Sequence, residues 1–420
     1  MVWLTEGMKS AGYETLLVAG VVPAGEDDMG YVAAQSGVTP LIIPDMSREI
    51  SLKDALTIWK LFRLMRRERP ALVHTHTAKA GTVGRVAGLM YRWLTPATLI
   101  GRPRACLFVH TYHGHVFHSY YSPLKTRLFL GIERLLASLG TDRVVVLSEQ
   151  QRREIHEKFR VGRKEQFVVI PLGIDTGAYG NWPERRPRLR AELNASDDEV
   201  LIGIVGRLAE VKNHALYLRA AAACKALPGM NAHRVRFVII GEGKLRAELE
   251  AQAASLGLSD DVVFLGTRND PENFYPALDI VALTSLNEGT PLTLIEAMAN
   301  ARSVIATAVG GVADLLGSIV SPADAEGYAI CERGLLTKSG DVEGLARGLA
   351  RLIEDDALRQ QLGRQGQDFV AANFAKERLL ADMADLYSQL AAKRSNSPKG
   401  AVAGGETAIE DYRARLTPRA

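Results

Sequence analysis

The feature that most constrains this chain is its unbroken alternation of short apolar, β-rich runs with helical patterns. In the first half such runs occupy residues 13–18, 38–43, 71–76, 106–110, 143–147 and 166–170. Helical patterns over 53–69, 81–93 and 124–139 lie between them. In the second half the runs are 200–205, 235–240, 262–265, 280–283 and 303–307, with helical patterns over 214–227, 244–256 and 292–300. Strands that alternate with helices imply parallel sheets covered on both faces, so each half reads as a doubly wound, Rossmann-like α/β domain. A chain of 420 residues is too long for one ordinary domain, and two is the natural number. The boundary falls after Pro171-Leu-Gly-Ile-Asp175, where the polar, proline-containing stretch 181–190 reads as a connector. The expected domains are 1–174 and 175–375. Only helices appear from Asp341 onward, ending with 376–392, and the Ser-, Pro-, Gly- and charge-rich 393–420 reads as a disordered tail.

Composition narrows the function classes. Hydrophobic residues at 47% and charged residues at 24% are the balance of a soluble globular protein. A net charge of +3 is too small to point to nucleic acid. Cys106, Cys224 and Cys331 are far apart and lack C-x-x-C spacing, which favours a reducing cytoplasm over disulfides or zinc. No run is apolar enough for a membrane span, and Lys9, Gly12 and Glu14 interrupt any signal-peptide pattern. The stripe Ala55, Ile58, Trp59, Phe62 and Met65 reads as a core-facing helix side, with membrane contact as the alternative and Lys60, Arg63, Arg66 and Arg67 elsewhere. Tyr120, Tyr121, Lys125 and Arg127 are candidates for an acceptor or anionic-lipid surface, which would suit peripheral membrane association.

The chemistry concentrates in Ser285-Leu-Asn-Glu-Gly-Thr-Pro-Leu-Thr-Leu-Ile-Glu-Ala-Met-Ala299, which follows a buried strand. Thr290 is suited to cap a helix with Pro291 at its first position. The free N–H groups of that helix start would then attract an anion such as a diphosphate. Glu288 precedes the anion site and Glu296 lies about a turn and a half inside the helix. The two acids suit a ligand with hydroxyls at both ends and a diphosphate between, the shape of a nucleotide-sugar. Ordinary surface acids near a helix start are the plain alternative.

Gly206-Arg207, with Lys212 five residues later, leaves the first strand of the second domain. Two cations at the carboxyl end of a parallel strand suit a diphosphate without a metal. Gly241 and Gly243 end the next strand, where they serve either a tight turn or close approach of a base or ribose. Six of nine histidines, namely His74, His76, His110, His113, His115 and His118, crowd between residues 74 and 118. No acidic partner sits among them at metal-ligand spacing, so His113-Gly114 reads as a neutral hydrogen-bonding group facing a cleft. No metal or cofactor is expected.

These residues resemble the retaining glycosyltransferases of the GT-B fold, glycosyltransferase family 4. The likeness extends to about Ala392. It is carried by Gly206-Arg207 with Lys212, Gly241-Glu-Gly243, Glu288-Gly-Thr-Pro291, Glu296-Ala-Met298, Val309-Gly-Gly311, Val73-His-Thr-His76, Thr111-Tyr-His-Gly114 and Gly334-Leu-Leu336 with Gly340-Asp341. The resemblance implies that Arg207 and Lys212 hold the donor diphosphate and that Glu296 accepts hydrogen bonds from ribose hydroxyls. It assigns Glu288 to sugar hydroxyls, the amides of Gly289, Thr290, Pro291 and Leu292 to sugar or phosphate, and His113 to the donor sugar. The helix 376–392 would cross back to the first domain. The implied reaction transfers a sugar from a nucleoside diphosphate to a glycan or lipid-linked acceptor hydroxyl, in polysaccharide or glycolipid assembly at the inner face of the membrane. A nucleotide-sugar epimerase and a non-catalytic nucleotide-sugar-binding protein are the alternatives. Two departures stand out. Ala301 and Ser303 replace the usual Gly and Pro, and Met1–Met8 looks like the second half of the family's first helix. The preceding strand and Gly-rich loop are therefore expected to be missing from the chain.

Overall fold

The protein is described by a computed structural model covering residues 1–21, 33–34, 36–46, 51–113, 123–322 and 326–395. It divides into two compact units, Met1–Leu172 with Lys376–Ala420, and Gly173–Ala375.

The second unit holds a sheet of eight strands: β7 (Val200–Val205), β8 (Val235–Ile240), β9 (Val262–Gly266), β10 (Ile280–Leu283), β11 (Ser303–Thr307), β12 (Ile319–Ser321), β13 (Tyr328–Cys331) and β14 (Gly334–Thr337). Their order is β12-β13-β14-β11-β10-β7-β8-β9. From β9 through β14 all neighbours are parallel, whereas β12 and β13 run antiparallel at one edge. The antiparallel edge was not legible as strand, because its segments are only three or four residues long. The six parallel strands follow the doubly wound order in which the chain steps outward twice, returns to the middle and steps outward the other way. That reversal lies between β7 and β10, and ligands of such sheets bind where it occurs. Ile202, Ile204, Leu216, Phe237, Ile239 and Ala282 form part of the core under the site. Buried on both faces, these strands read as continuous apolar runs.

Residues 181–190 are not a connector. They belong to the helix Trp182–Glu192, with Pro183 in its first turn and Pro187 inside it. Its arginines hold it in place: Arg186 and Arg190 bind Asp279 at 2.6 and 3.3 Å, and Arg190 also donates to Ala277, Ser196 and Glu199 carbonyls. A helix held by arginines that reach distant carbonyls has no apolar period to announce it. Both ends of the unit meet nearby, since the Ile174 amide donates to the Phe374 carbonyl at 2.8 Å.

The first unit contains a parallel four-stranded sheet in the order β3-β4-β5-β6: β3 (Leu72–His76), β4 (Leu107–Thr111), β5 (Arg143–Val146) and β6 (Phe167–Val169). A separate parallel pair joins β1 (Val18–Ala19) to β2 (Leu41–Ile42). The run 13–18 enters a ladder only at Val18, because Tyr13 packs instead against Tyr387 of the helix Lys376–Ser395. That helix also buries Met383, Leu386 and Leu390 with Leu107, Val109 and Val145. It runs to Ser395, beyond the expected end at 392; residues 396–420 lie outside the described residues.

The helix Lys53–Glu68 buries Thr57, Leu61, Phe62 and Met65. Trp59 and Ala55, expected in the core, are exposed. Trp59 lies about a third of a turn from the centre of the buried side, whereas Ala55 stands in the first turn, ahead of all the buried residues. Gly114, His115, His118, Tyr120 and Tyr121 lie outside the described residues, as does the side chain of Lys125. Among the described residues no helix is long and apolar enough to cross a membrane.

Candidate active site

Three loops meet at the strand-order reversal of the second unit. The first follows β7 and carries Gly206, Arg207 and Lys212. The second follows β8 and carries Gly241 and Gly243. The third follows β10 and leads through Glu288 into the helix Leu292–Ala299.

Gly241 and Gly243 let the first two loops touch. A Cβ on Gly241 would stand 2.1 Å from the Gly206 carbonyl oxygen, and one on Gly243 would stand 2.4 Å from that of Leu208. The Leu208 amide donates to the Glu242 carbonyl at 2.9 Å, locking the pair. These contacts add a use that the sequence does not announce, close packing of one loop's backbone on the other.

The third loop is fixed from several sides. The Thr284 hydroxyl donates to the carbonyls of Lys212 and Asn213 at 3.0 Å, and the Leu286 amide donates to the Val211 carbonyl at 2.8 Å. The Gly311 amide donates to the Gly289 carbonyl at 2.8 Å, and a Cβ on Gly311 would meet that oxygen at 2.4 Å. Thr290 does not cap the helix. Pro291 occupies the cap position in extended backbone, no side chain caps it, and the first helical residue is Leu292. The Thr293 hydroxyl donates to the Val205 carbonyl at 3.4 Å, which sets the helix start beside the end of β7.

Arg207 is exposed there and forms no ion pair among the described residues. Lys212 does not stand free: its Nζ lies 2.6 Å from Glu288 Oε1, and the Ser285 hydroxyl donates to the same oxygen at 2.6 Å. Residues expected at the diphosphate and at the sugar are thus in contact. The Glu288 side chain is mostly buried, so the lysine offsets its desolvation.

Glu296 sits deeper. Tyr275 and Tyr179 donate to its two carboxylate oxygens at 3.0 and 3.4 Å. Burial pushes its pKa up from 4.5 to about 6, against the opposing pull of the two phenols. Both tyrosines escaped the sequence reading, since no local spacing relates Tyr179 or Tyr275 to position 296. Ser285, three residues before Glu288, was the one partner within reach of a local pattern.

His113 belongs to the first unit, at the end of β4. Its Nε2 lies 2.9 Å from His76 Nδ1. His74 spends both ring nitrogens on Tyr387 and Thr111, at 2.6 and 2.7 Å. Burial lowers the pKa of His113 and takes that of His74 to about 3, so both rings are neutral near pH 7.

Two family models divide the chain between them. Glycosyltransferase Family 4 matches residues 2–178, and Glycosyl transferases group 1 matches residues 185–369. The chain belongs to the family 4 glycosyltransferases. It is 28% identical over 349 residues to the Escherichia coli UDP-Gal:alpha-D-GlcNAc-diphosphoundecaprenol alpha-1,3-galactosyltransferase, covering 80% of this chain and 83% of that one. It is 29% identical over 338 residues to a D-inositol 3-phosphate glycosyltransferase of Salinispora arenicola, covering 76% and 69%. Among solved structures, Anabaena Alr3699/HepE in complex with UDP superposes with a TM-score of 0.73 at 22% identity, covering 92% of this chain and 94% of that one. The fold is GT-B, two Rossmann-like domains, and the protein is an enzyme of the transferase class.

Proposed function

We propose that this glycosyltransferase moves a sugar from a nucleoside diphosphate to an acceptor hydroxyl with retention at the anomeric carbon. The observation that carries the reading is the placement of Arg207, the Lys212–Glu288 pair and Glu296 around one helix start at the strand-order reversal. Arg207 and Lys212 attract the diphosphate, Glu296 accepts from ribose hydroxyls, and Glu288 with the Gly289–Leu292 backbone holds the sugar. The bond from the anomeric carbon to the diphosphate oxygen breaks as the acceptor oxygen bonds on the same face. The acceptor proton passes to the departing diphosphate, whose growing charge the two cations stabilise. No divalent metal takes part in this scheme.

The UDP-Gal donor and diphosphoundecaprenol-linked acceptor in the Escherichia coli relative's name support a nucleotide-sugar donor and a lipid-linked acceptor, and the proposed setting is the cytoplasmic face of the membrane. A panel of UDP-, GDP- and ADP-sugars, read by thermal stabilisation and slow donor hydrolysis, identifies the donor. Proton NMR of the first-formed product then reads the anomeric configuration. An inverted product overturns retention; an altered free nucleotide-sugar overturns transfer in favour of epimerisation. Activity abolished by a chelator and restored by manganese or magnesium overturns the metal-free scheme.

A further inference from the structure

Three imidazoles, those of His74, His76 and His113, follow one another at the carboxyl ends of β3 and β4, and the family resemblance gives a role only to His113. His74 and His76 alternate with Thr75 on β3 and so project from the same face of the sheet. Their ring centroids are 4.2 Å apart, with the planes tilted by 31°. His74 is fixed at both nitrogens, by Tyr387 of the helix Lys376–Ser395 and by Thr111 of β4. It gives His76 a rigid surface to rest on. His76 in turn meets His113, Nδ1 to Nε2 at 2.9 Å. Among the described residues this is the one side-chain hydrogen bond of His113, whose ring is otherwise exposed.

Burial, with His74 and His113 alongside, holds His76 well below its ordinary pKa, so it is neutral near pH 7 like its two neighbours. Two neutral rings share one proton across the 2.9 Å gap, so the tautomer of one sets that of the other. Leucine or phenylalanine would fill this space without needing any polar partner, whereas each ring here depends on the next for its hydrogen bond or its support. The row ends at the one ring that is open to a ligand. Packing alone does not call for such a row; aiming His113 does.

We propose that His76 is a positioning residue of the transfer reaction: it holds His113 by Nε2, so that Nδ1 is the nitrogen turned to the sugar, and it sets whether that nitrogen donates or accepts. The inference rests on the reading of His113 as a residue that meets the donor sugar. Substitutions at position 76 separate aiming from packing. His76→Phe keeps a ring on His74 but has no nitrogen, whereas His76→Asn loses the ring and places an amide where Nδ1 stood. The assay is hydrolysis of whichever UDP-, GDP- or ADP-sugar the full chain turns over fastest, beside calorimetric titration of the matching nucleoside diphosphate. His76→Phe should slow turnover about tenfold or more, and His76→Asn by less than about threefold. Neither should change nucleoside diphosphate affinity, which Arg207 and Glu296 supply and which shows that the variants fold. In a His113→Ala background His76→Phe should slow turnover no further, because the ring it aims is gone. The reverse order, with Phe near wild type and Asn impaired, would mark a packing role and overturn the inference, as would additive losses in the double variant. Wild-type turnover in His113→Ala alone would instead refute the reading of His113, and this inference with it.

Discussion

Replacing Glu296 by glutamine should stabilise the protein at neutral pH and leave it unchanged in acid. In the unfolded chain this carboxyl loses its proton near 4.5, whereas in the folded protein it holds the proton up to about 6. Between those values the unfolded state ionises while the folded state does not, so stability falls as pH rises through the interval. Above it the ionised carboxylate sits buried at a cost of about 2 kcal/mol, from the distance between the two values. Glutamine removes that cost. Its carbonyl oxygen accepts from one phenol and its amide donates to the other, so Tyr179 and Tyr275 keep partners. For a unit of this size the gain corresponds to roughly 4–8 °C in melting temperature. Calorimetry of wild type and Glu296→Gln near pH 7.5 and below about pH 4 reads the difference. The same variant should bind nucleoside diphosphate less tightly, because an ionised acceptor for ribose hydroxyls is gone. A gain of equal size at both pH values, or none near neutrality, would refute the account of a carboxylate kept for binding at the expense of stability.

Arg207→Ala should weaken nucleoside diphosphate binding by about 10- to 150-fold, the effect of one charge-assisted contact. Glu288→Ala should abolish most turnover yet bind nucleoside diphosphate at least as tightly, since Lys212 loses its 2.6 Å partner; calorimetric titrations showing the reverse would sink both roles. Ala301→Gly should stabilise by about 1 kcal/mol, because Ala301 holds φ 55° where the helix Leu292–Ala299 ends, and an unmoved urea midpoint would contradict this. Glu133→Gln should cost about 3–5 kcal/mol, because Arg85 donates twice to that buried carboxylate at 2.6 and 2.7 Å. A loss below about 1 kcal/mol in urea unfolding would exclude a structural role for the pair.

Strands buried on both faces were legible because they are mostly runs of apolar, β-rich residues; β7, β8, β10 and β11 begin and end where the sequence places them. Elements held by polar side chains were not. The helix Trp182–Glu192 depends on arginines whose acceptors lie as far away as Asp279, and Trp182 itself packs under Arg302 at 4.0 Å. Trp59 shows the opposite error. A stripe of five apolar residues was read as one face, but at 100° per residue Trp59 falls well away from Met65. At the site, residue types and their loops were legible, while contacts across the fold were not. The Lys212–Glu288 pair joins loops after two strands that are sequence-distant, and Tyr179 reaches Glu296 from the segment beside the unit's two chain ends. The turn at Ala301 illustrates a partial reading. Its amide donates to Met298 and that of Arg302 to Ala297, the pairing in which glycine normally sits at position 301. The substitution noticed in the sequence therefore leaves the turn in place and adds backbone strain.

The Lys212–Glu288 contact also bears on how a cationic site can favour the departing group over the bound donor. With Glu288 in place, Lys212 is largely neutralised before any ligand arrives, and Arg207 is the cation presented openly to a diphosphate. Under the proposed scheme the diphosphate gains negative charge only as its bond to the sugar breaks. Attraction to Lys212 grows in step with that charge, while its pairing with Glu288 stays constant. The lysine therefore contributes more to the transition state than to the bound donor, and only such a difference raises the rate of the chemical step. Fixing the pair through Ser285, and its loops through Thr284 and Gly311, keeps this response from being spent on rearrangement. Arg207 responds to the growing charge in the same way, but with no ion pair among the described residues it also attracts the bound donor, so its loss should appear as weaker binding together with slower turnover.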